Sequence, residues 1–296
     1  MPPRSRAPSR EPAGLLIFCG APIGNVADAS ARLAATLAEV DIVAAEDTRR
    51  LHRLARHLGV DPHRVVSLFE GNETARTAEL LGALRAGQTV AVITDGGMPT
   101  VSDPGYRLAH AAAGDGIRIS VVPGPSAVTA ALAVSGLPTD RWCMEGFLPR
   151  KAGERRRRLA ELAAEPRTLV FFEAPHRAAA MLRDLASEFG PDRPATACRE
   201  LTKTWEEIRP GSLGELADWA DEGVRGEITV VVAGAADTPG SRDPSELAAL
   251  VLAREAEGVP RKEAIGRVAA DARVAKRVVY DAVLAERRSA SSRKSR

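Results

Sequence analysis

The sequence predicts an α/β protein, with two α/β domains followed by a small helical extension. Three observations carry that expectation. Short β-branched runs alternate with amphipathic helical patterns from residue 15 to residue 133. Turn residues at 135–139 are followed by a second alternating unit, and a stretch at 234–244 rich in Ala, Gly, Asp, Pro and Ser leads into helical patterns alone. The expected division is a basic leader over 1–13, an N-terminal α/β domain over 14–136, a C-terminal α/β domain over 137–233, a linker over 234–244, a helical extension over 245–288 and a basic tail over 289–296.

In the first unit, the runs at 15–19, 42–45, 65–68, 90–93 and 117–122 have the length and branching of buried strands. Helical patterns near 30–39, 48–58, 74–85 and 106–114 separate them. Such alternation builds a mostly parallel sheet covered on both faces, whose ligands sit beyond the carboxyl ends of the strands. The loops at that end are 20–28, 46–49, 95–103 and 123–126. The second unit is mixed: candidate strands at 142–146, 168–173, 196–199, 206–209 and 228–232, with helices near 154–164, 178–189 and 213–221. Beyond the linker, helical patterns at 245–256, 261–272 and 274–286 suit either a helix-turn-helix-like appendage or a packed extension.

At 296 residues the chain has room for substantial cores, and its composition is that of a globular protein. No apolar stretch approaches the roughly 20 residues that span a bilayer. The leader carries Arg4, Arg6 and Arg10 without the long apolar core of a secretion signal, and reads as flexible and cytoplasmic. Cys19, Cys143 and Cys198 are few and far apart, which argues against a disulfide framework and suits a reducing compartment. His52, His57, His63, His110 and His176 form no ligand spacing, so no metal is expected. Net charge is only +2, yet Arg150, Lys151 and the run Arg155 to Arg158 are concentrated. That cluster reads equally as a phosphate-neutralising surface or as a solvated helix face.

The loop opened by Asp95-Gly96-Gly97-Met98-Pro99 and closed by Ser102-Asp103-Pro104-Gly105 follows a buried strand and combines small residues, prolines and two carboxylates. Glycines let backbone amides approach a ligand closely, and carboxylates accept from hydroxyl or amino groups. Neither a Gly-x-Gly-x-x-Gly turn nor a phosphate loop is present, which disfavours dehydrogenases, nucleoside triphosphatases and Rossmann-type methyltransferases. The second strand ends at Ala45-Glu46-Asp47-Thr48-Arg49-Arg50, where Asp47 reads either as a helix cap or as a site carboxylate. Ser126, in Pro123-Gly124-Pro125-Ser126-Ala127, is a good helix cap by type.

These segments, with Ala21-Pro22-Ile23-Gly24-Asn25, Gly146-Phe147-Leu148-Pro149-Arg150-Lys151, Ala174-Pro175-His176-Arg177 and Arg199-Glu200-Leu201-Thr202-Lys203, recur in the order and spacing of one family. The chain closely resembles the bacterial small-subunit ribosomal RNA 2′-O-ribose methyltransferase I family over about residues 14 to 233, and more loosely in the helical tail. Ala21, Gly96, Met98, Phe172 and Ala174 stand where that family often has Thr, Ala, Thr, Tyr and Ser.

The resemblance implies the tetrapyrrole-methylase (class III methyltransferase) fold with S-adenosylmethionine in the cleft between the α/β domains, and a homodimer. It implies a cytidine of the 16S ribosomal RNA decoding region as substrate, on the small subunit. Its cofactor positions fall on Pro22, on Asp95, Gly96, Gly97 and Met98, on Ser126 and Ala127, and on Ala174 and Pro175, with backbone contacts near Phe147. Methyl transfer to a ribose hydroxyl needs alignment, exclusion of water and a proton acceptor. Asp47, Glu200 and Lys203 are the candidate acceptors, with an interdomain ion-pair network as their alternative role. Arg49, Arg177 and Arg199, with Arg150, Lys151, Arg155 and Arg156, are the candidates for holding RNA phosphates. Two other functions stay open at this point: a same-fold methylase acting on a tetrapyrrole or corrin precursor, and a non-catalytic RNA-binding assembly factor.

Overall fold

The computed structural model describes residues 14–235, 244–272 and 274–294. The leader, most of the linker, and the side chains of the basic tail lie outside the described residues. Residues up to Gly234 form one compact unit that carries both sheets, and those from Ala235 form a second.

The first sheet is built from β1 (Leu15–Cys19), β2 (Ile42–Ala45), β3 (Val65–Ser67), β4 (Thr89–Ile93) and β5 (Arg118–Val122), with α1 (Ala31–Glu39), α2 (Thr48–Leu58), α3 (Glu73–Arg85) and α4 (Tyr106–Gly114) between them. Spatial order is β3-β2-β4-β1-β5, and every pairing is parallel. Alternation along each strand explains the two covered faces. Val90 and Val92 join Leu16, Phe18, Leu80 and Leu108 in one cluster, whereas Ala91 and Ile93 join Cys19, Leu33, Leu37 and Leu51 in another. Register then sets the position of the site. Cys19 stands opposite both Ile93 and Val122, and Ile93 stands opposite Ala45.

α5 (Ala127–Ser135) follows β5, and the second sheet is β6 (Trp142–Phe147), β7 (Thr168–Glu173), β8 (Pro194–Arg199), β9 (Glu207–Ser212) and β10 (Ile228–Val232), with α6 (Ala152–Leu162), α7 (Pro175–Phe189) and α8 (Leu213–Asp221). Its order is β6-β7-β10-β8-β9, parallel only between β6 and β7. Leu169, Phe171, Val230 and Val232 meet α6, α7 and α8 on one face. The other face is covered by α5, whose Val128, Ala131 and Leu132 pack on Val170, Cys198 and Val231. The turn residues at 135–139 therefore end a helix that already belongs to the second sheet's packing.

Helix starts explain the boundaries that differ from expectation. Pro175 takes the first turn of α7, where its missing N–H costs nothing, so the helix opens ahead of the expected residue 178. α8 opens on a reciprocal capping box between Ser212 and Glu215. By itself the C-terminal unit is α9 (Pro244–Ala256), α10 (Arg261–Asp271) and α11 (Lys276–Lys294), closed around Leu247, Val251, Ile265, Val268 and Val279 and tied by Arg254 to Asp271.

Two local devices fix the loops at the strand ends. Gly20 after β1 and Gly124 after β5 touch backbone to backbone, so that a Cβ on Gly124 would lie 2.7 Å from the Gly20 carbonyl oxygen. Glu73, at the start of α3 and 8% exposed, accepts from the N–H groups of Gly105 (2.9 Å) and Arg107 (3.2 Å) and so caps α4 from outside. Gly105 itself sits at φ +124°, where a Cβ would press on Phe18.

A Gly124→Ala exchange meets rigid backbone and is expected to destabilise the protein by about 1–3 kcal/mol. Glu73→Ala leaves two amide donors without their acceptor and is expected to cost about 1–3 kcal/mol. Thermal unfolding reads both, and a melting temperature equal to the wild type's in either variant contradicts the corresponding account.

Candidate functional site

The loops at the carboxyl ends of β1, β2 and β4, the start of α5, the ends of β6 and β7 and the start of β10 enclose a cleft of about 850 Å³. Its first wall is tied by a two-hydrogen-bond bridge between Ala21 and Gly97, at 2.8 and 3.0 Å. The Glu46 carboxylate accepts from Asp95 N–H at 3.1 Å, and the Asp95 carboxylate accepts from Asp47 N–H at 3.2 Å and lies 3.4 Å from Arg50. Side chains of adjacent strand ends thus satisfy one another's loop amides. Phe147 and Phe172 meet at 5.7 Å between ring centroids on the opposite wall.

Every residue assigned to a cofactor from the sequence lines this cleft: Pro22, Asp95, Gly96, Gly97, Met98, Ser126, Ala127, Phe147, Ala174 and Pro175. Ser126 occupies the N-cap position of α5, but its hydroxyl makes no capping bond. Asp47 and Lys203 also line the cleft, while Glu200 stands behind Lys203.

Electrostatics divide the carboxylates. Asp47 accepts three hydrogen bonds from Arg49, through backbone N–H, Nε and Nη2, and these hold its carboxyl down to about 2. Lys203 Nζ donates to Glu200 at 2.8 Å and Glu227 at 2.9 Å. Burial alone would lower that lysine, yet the two carboxylates outweigh it and raise its pKa, and the lysine's hydrogen bond in turn lowers Glu200. Burial raises Glu46 and Glu173. It pushes Asp103 up to about 7, with help from the Glu46 charge and against the nearby Thr94 hydroxyl.

The expected RNA-contacting residues separate into two groups. Arg49, Arg150, Lys151 and Arg156 are exposed, Lys151 meeting Glu154 at 3.0 Å. Arg155 is not part of that surface: it is 6% exposed, and its Nε meets Asp184 at 2.6 Å, because a buried guanidinium needs a partner. Arg177 is half-buried and engaged within the protein, donating to the Leu148 carbonyl at 2.9 Å and lying 3.1 Å from the buried Glu173 carboxylate. Arg199 holds Glu207 at 2.9 Å across the β8–β9 pair.

The sequence did not assign every polar group of the cleft to the site. Glu46, Thr94, Asp103 and Glu173 line the same cavity. Glu46, Thr94 and Glu173 each end or follow an apolar strand, which is the signal that points to them. Among the described residues no cluster of His, Cys, Asp and Glu is arranged to hold a metal ion, and no helix is long and apolar enough to cross a membrane.

The family model of tetrapyrrole (corrin/porphyrin) methylases matches residues 15–217. A protein of Mycobacterium tuberculosis named ribosomal RNA small subunit methyltransferase I is 52% identical over 277 residues, spanning 93% of this chain and 96% of that protein. A Pseudomonas aeruginosa protein of the same name is 42% identical over 275 residues, spanning 92% and 97%. Among solved structures, diphthine synthase superposes with TM-score 0.56 at 18% identity, covering 74% of this chain and 90% of its own. A Thermus thermophilus uroporphyrin-III C-methyltransferase, solved with S-adenosylhomocysteine, gives 0.51 at 20%, covering 73% and 96%. These two share the fold. With 42% and 52% identity to those two relatives over more than nine-tenths of its length, the chain belongs to the tetrapyrrole methylase family and, within it, to the ribosomal RNA small subunit methyltransferase I group.

Proposed function

We propose that this protein methylates the ribose 2′-oxygen of a cytidine in the decoding region of 16S ribosomal RNA, using S-adenosylmethionine. The observation that carries the reading is convergence: residues from segments far apart in sequence line one cleft whose volume, about 850 Å³, is that of a small-molecule site. The relatives named for small-subunit ribosomal RNA methylation supply the substrate class.

The cleft fits this cofactor by its chemistry. Ile23, Met98, Phe147, Phe172 and Ile228 offer apolar walls for an adenine ring, and Glu46 and Asp95 place negative charge where a sulfonium and an ammonium need it. S-adenosylmethionine supplies an electrophilic methyl group. The chain's own work is to hold donor and acceptor in line and to exclude water. Gly96 and Gly97 allow close backbone approach, and Lys203, fixed by Glu200 and Glu227, presents a cation at the cleft wall. Exposed Arg49, Arg150, Lys151 and Arg156 are the groups proposed to meet RNA phosphates.

The reading extends to a cytoplasmic homodimer. Three free thiols, two of them buried, suit a reducing compartment. The edge strand β5 exposes Ile119 and Val121, an apolar margin that a second copy would cover.

Incubation with labelled S-adenosylmethionine and small subunits lacking the modification is expected to place label on one cytidine ribose. Label on a base, or on no ribosomal RNA, overturns the reading. A Lys151→Ala/Arg156→Ala double variant is expected to bind small subunits more weakly, with the salt slope reduced by about 1 for each phosphate that is no longer neutralised. Filter binding across a salt series measures this, and an unchanged slope removes these residues from the RNA surface.

A further inference from the structure

The groups that the sequence offers as proton acceptors are poorly suited to the task in the folded protein. Asp47 is bound to Arg49 at 3.0 Å, Glu200 to Lys203 at 2.8 Å, and Lys203 to Glu227 at 2.9 Å. A carboxylate already neutralised by a guanidinium or ammonium is a weak base, and a lysine between two carboxylates keeps its proton.

Asp103 differs in position and company. It lines the same cleft, on the loop that leads from β4 into α4. Among the described residues no lysine, arginine or histidine makes an ion pair with it. Its loop is held in an unusual backbone course, with Thr100 at φ 75° and Ser102 at φ 64°. Left-handed conformations at non-glycine residues cluster at functional sites. The loop's far end is fixed by the Glu73 cap on Gly105. Beside it, Thr94 is 6% exposed and also lines the cleft, and its hydroxyl has no partner other than the neighbouring Asp103 carboxylate. A buried carboxylate with a hydroxyl beside it and no cation, facing a cleft, marks a place that a polar ligand group completes.

We infer that Asp103 is the general base of the methyl transfer, taking the proton of the attacking ribose hydroxyl while Thr94 steadies the carboxylate; the inference rests on the 2′-O reading above. In the step, the 2′-oxygen forms its bond to the methyl carbon as the carbon–sulfur bond breaks. The electron pair of that bond stays on sulfur, which leaves as a neutral thioether, and the hydroxyl proton passes to an Asp103 carboxylate oxygen. Charge balances without any further reactant.

The protonation behaviour agrees with the geometry. Burial, then the charge on Glu46, raises Asp103 to about 7, with Asp95 adding to the rise. On the α2 side, Arg50 is engaged by Asp95 and Asp47 by Arg49, while Arg53 and His57 line the cleft farther along the same helix. From the second sheet the cleft receives Glu173 and the Lys203–Glu227 pair. An acceptor poised near neutrality combines a useful deprotonated fraction with proton affinity. Because its folded value lies above the unfolded one, an ionised Asp103 lowers stability as pH rises through that window.

The test compares wild type with Asp103→Asn and Asp103→Glu on small subunits lacking the modification. Turnover of the wild type is expected to fall about tenfold per pH unit below the neutral region and to level off above it. Asp103→Asn should lose that acidic limb and about 10²–10⁴-fold in kcat, while calorimetry finds its S-adenosylhomocysteine affinity unchanged and Asp103→Glu recovers part of the rate with the limb restored. Asp103→Asn should also melt higher than wild type at pH 8 but not at pH 4, which separates a lost base from a lost fold. Wild-type kcat in Asp103→Asn, an acidic limb that survives in it, or cofactor affinity lost in step with activity each overturns the inference. Ribose label from the wild type with a fully active Asp103→Asn overturns the base alone. Label elsewhere than ribose overturns the base and the reading beneath it.

Discussion

The parallel register of the first sheet is the constraint on which the site depends. Cys19, Ala45, Ile93 and Val122 end their strands in one row, so the chain leaves β1, β2, β4 and β5 at the same level and on the same side. Loops that start together can exchange hydrogen bonds over short distances. The Ala21–Gly97 bridge, the Glu46-to-Asp95 bond and the Asp95-to-Asp47 bond all span neighbouring strand ends. A slip of one residue in any of these strands would turn its apolar set from one face to the other and dissolve those bonds together.

That arrangement concentrates negative charge. Glu46, Asp47, Asp95, Asp103, Glu173 and Glu227 outnumber Arg50, Arg53 and Lys203 along the cleft, and burial raises Glu46 and Asp103. Like charges held close in a partly dry cavity oppose folding, and they are tolerated where a bound group of opposite sign relieves them. A cationic ligand and a carboxylate-lined cleft are therefore two halves of one electrostatic arrangement. The same principle accounts for Arg155 and Arg177 in reverse. Arg155 is buried and Arg177 half-buried, each is matched to a single acid, Asp184 or Glu173, and each serves the scaffold beneath the cleft.

The frame was legible in the sequence because its signals are local. β-branched runs of strand length, Gly and Pro breaks, and helix caps such as Ser30 and the Ser212–Glu215 box depend on neighbours along the chain. The cofactor wall was legible for the same reason, since each segment is a strand end followed by a break. What escaped was tertiary. Arg155 sits in a run of arginines that looks like a solvated face, and the Asp184 that buries it lies 29 residues away. Asp103 was visible as an acceptor, but its lack of a cation is a property of the folded cleft. Conversely Asp47, Glu200 and Lys203 looked reactive by type, and only their partners reveal them to be occupied.

Helix α5 has a consequence for how this architecture can change. It begins at the cleft with Ser126, covers one face of the second sheet with Val128, Ala131 and Leu132, and ends where Thr196 Oγ1 donates to the Ser135 carbonyl at 2.8 Å. A chain cut or recombined at the turn that follows would separate the second sheet from its cover. The segment that must travel with the second half in any shuffling of the fold thus starts at residue 126, inside the ligand cavity, so substrate-side diversification carries part of the cofactor wall along with it.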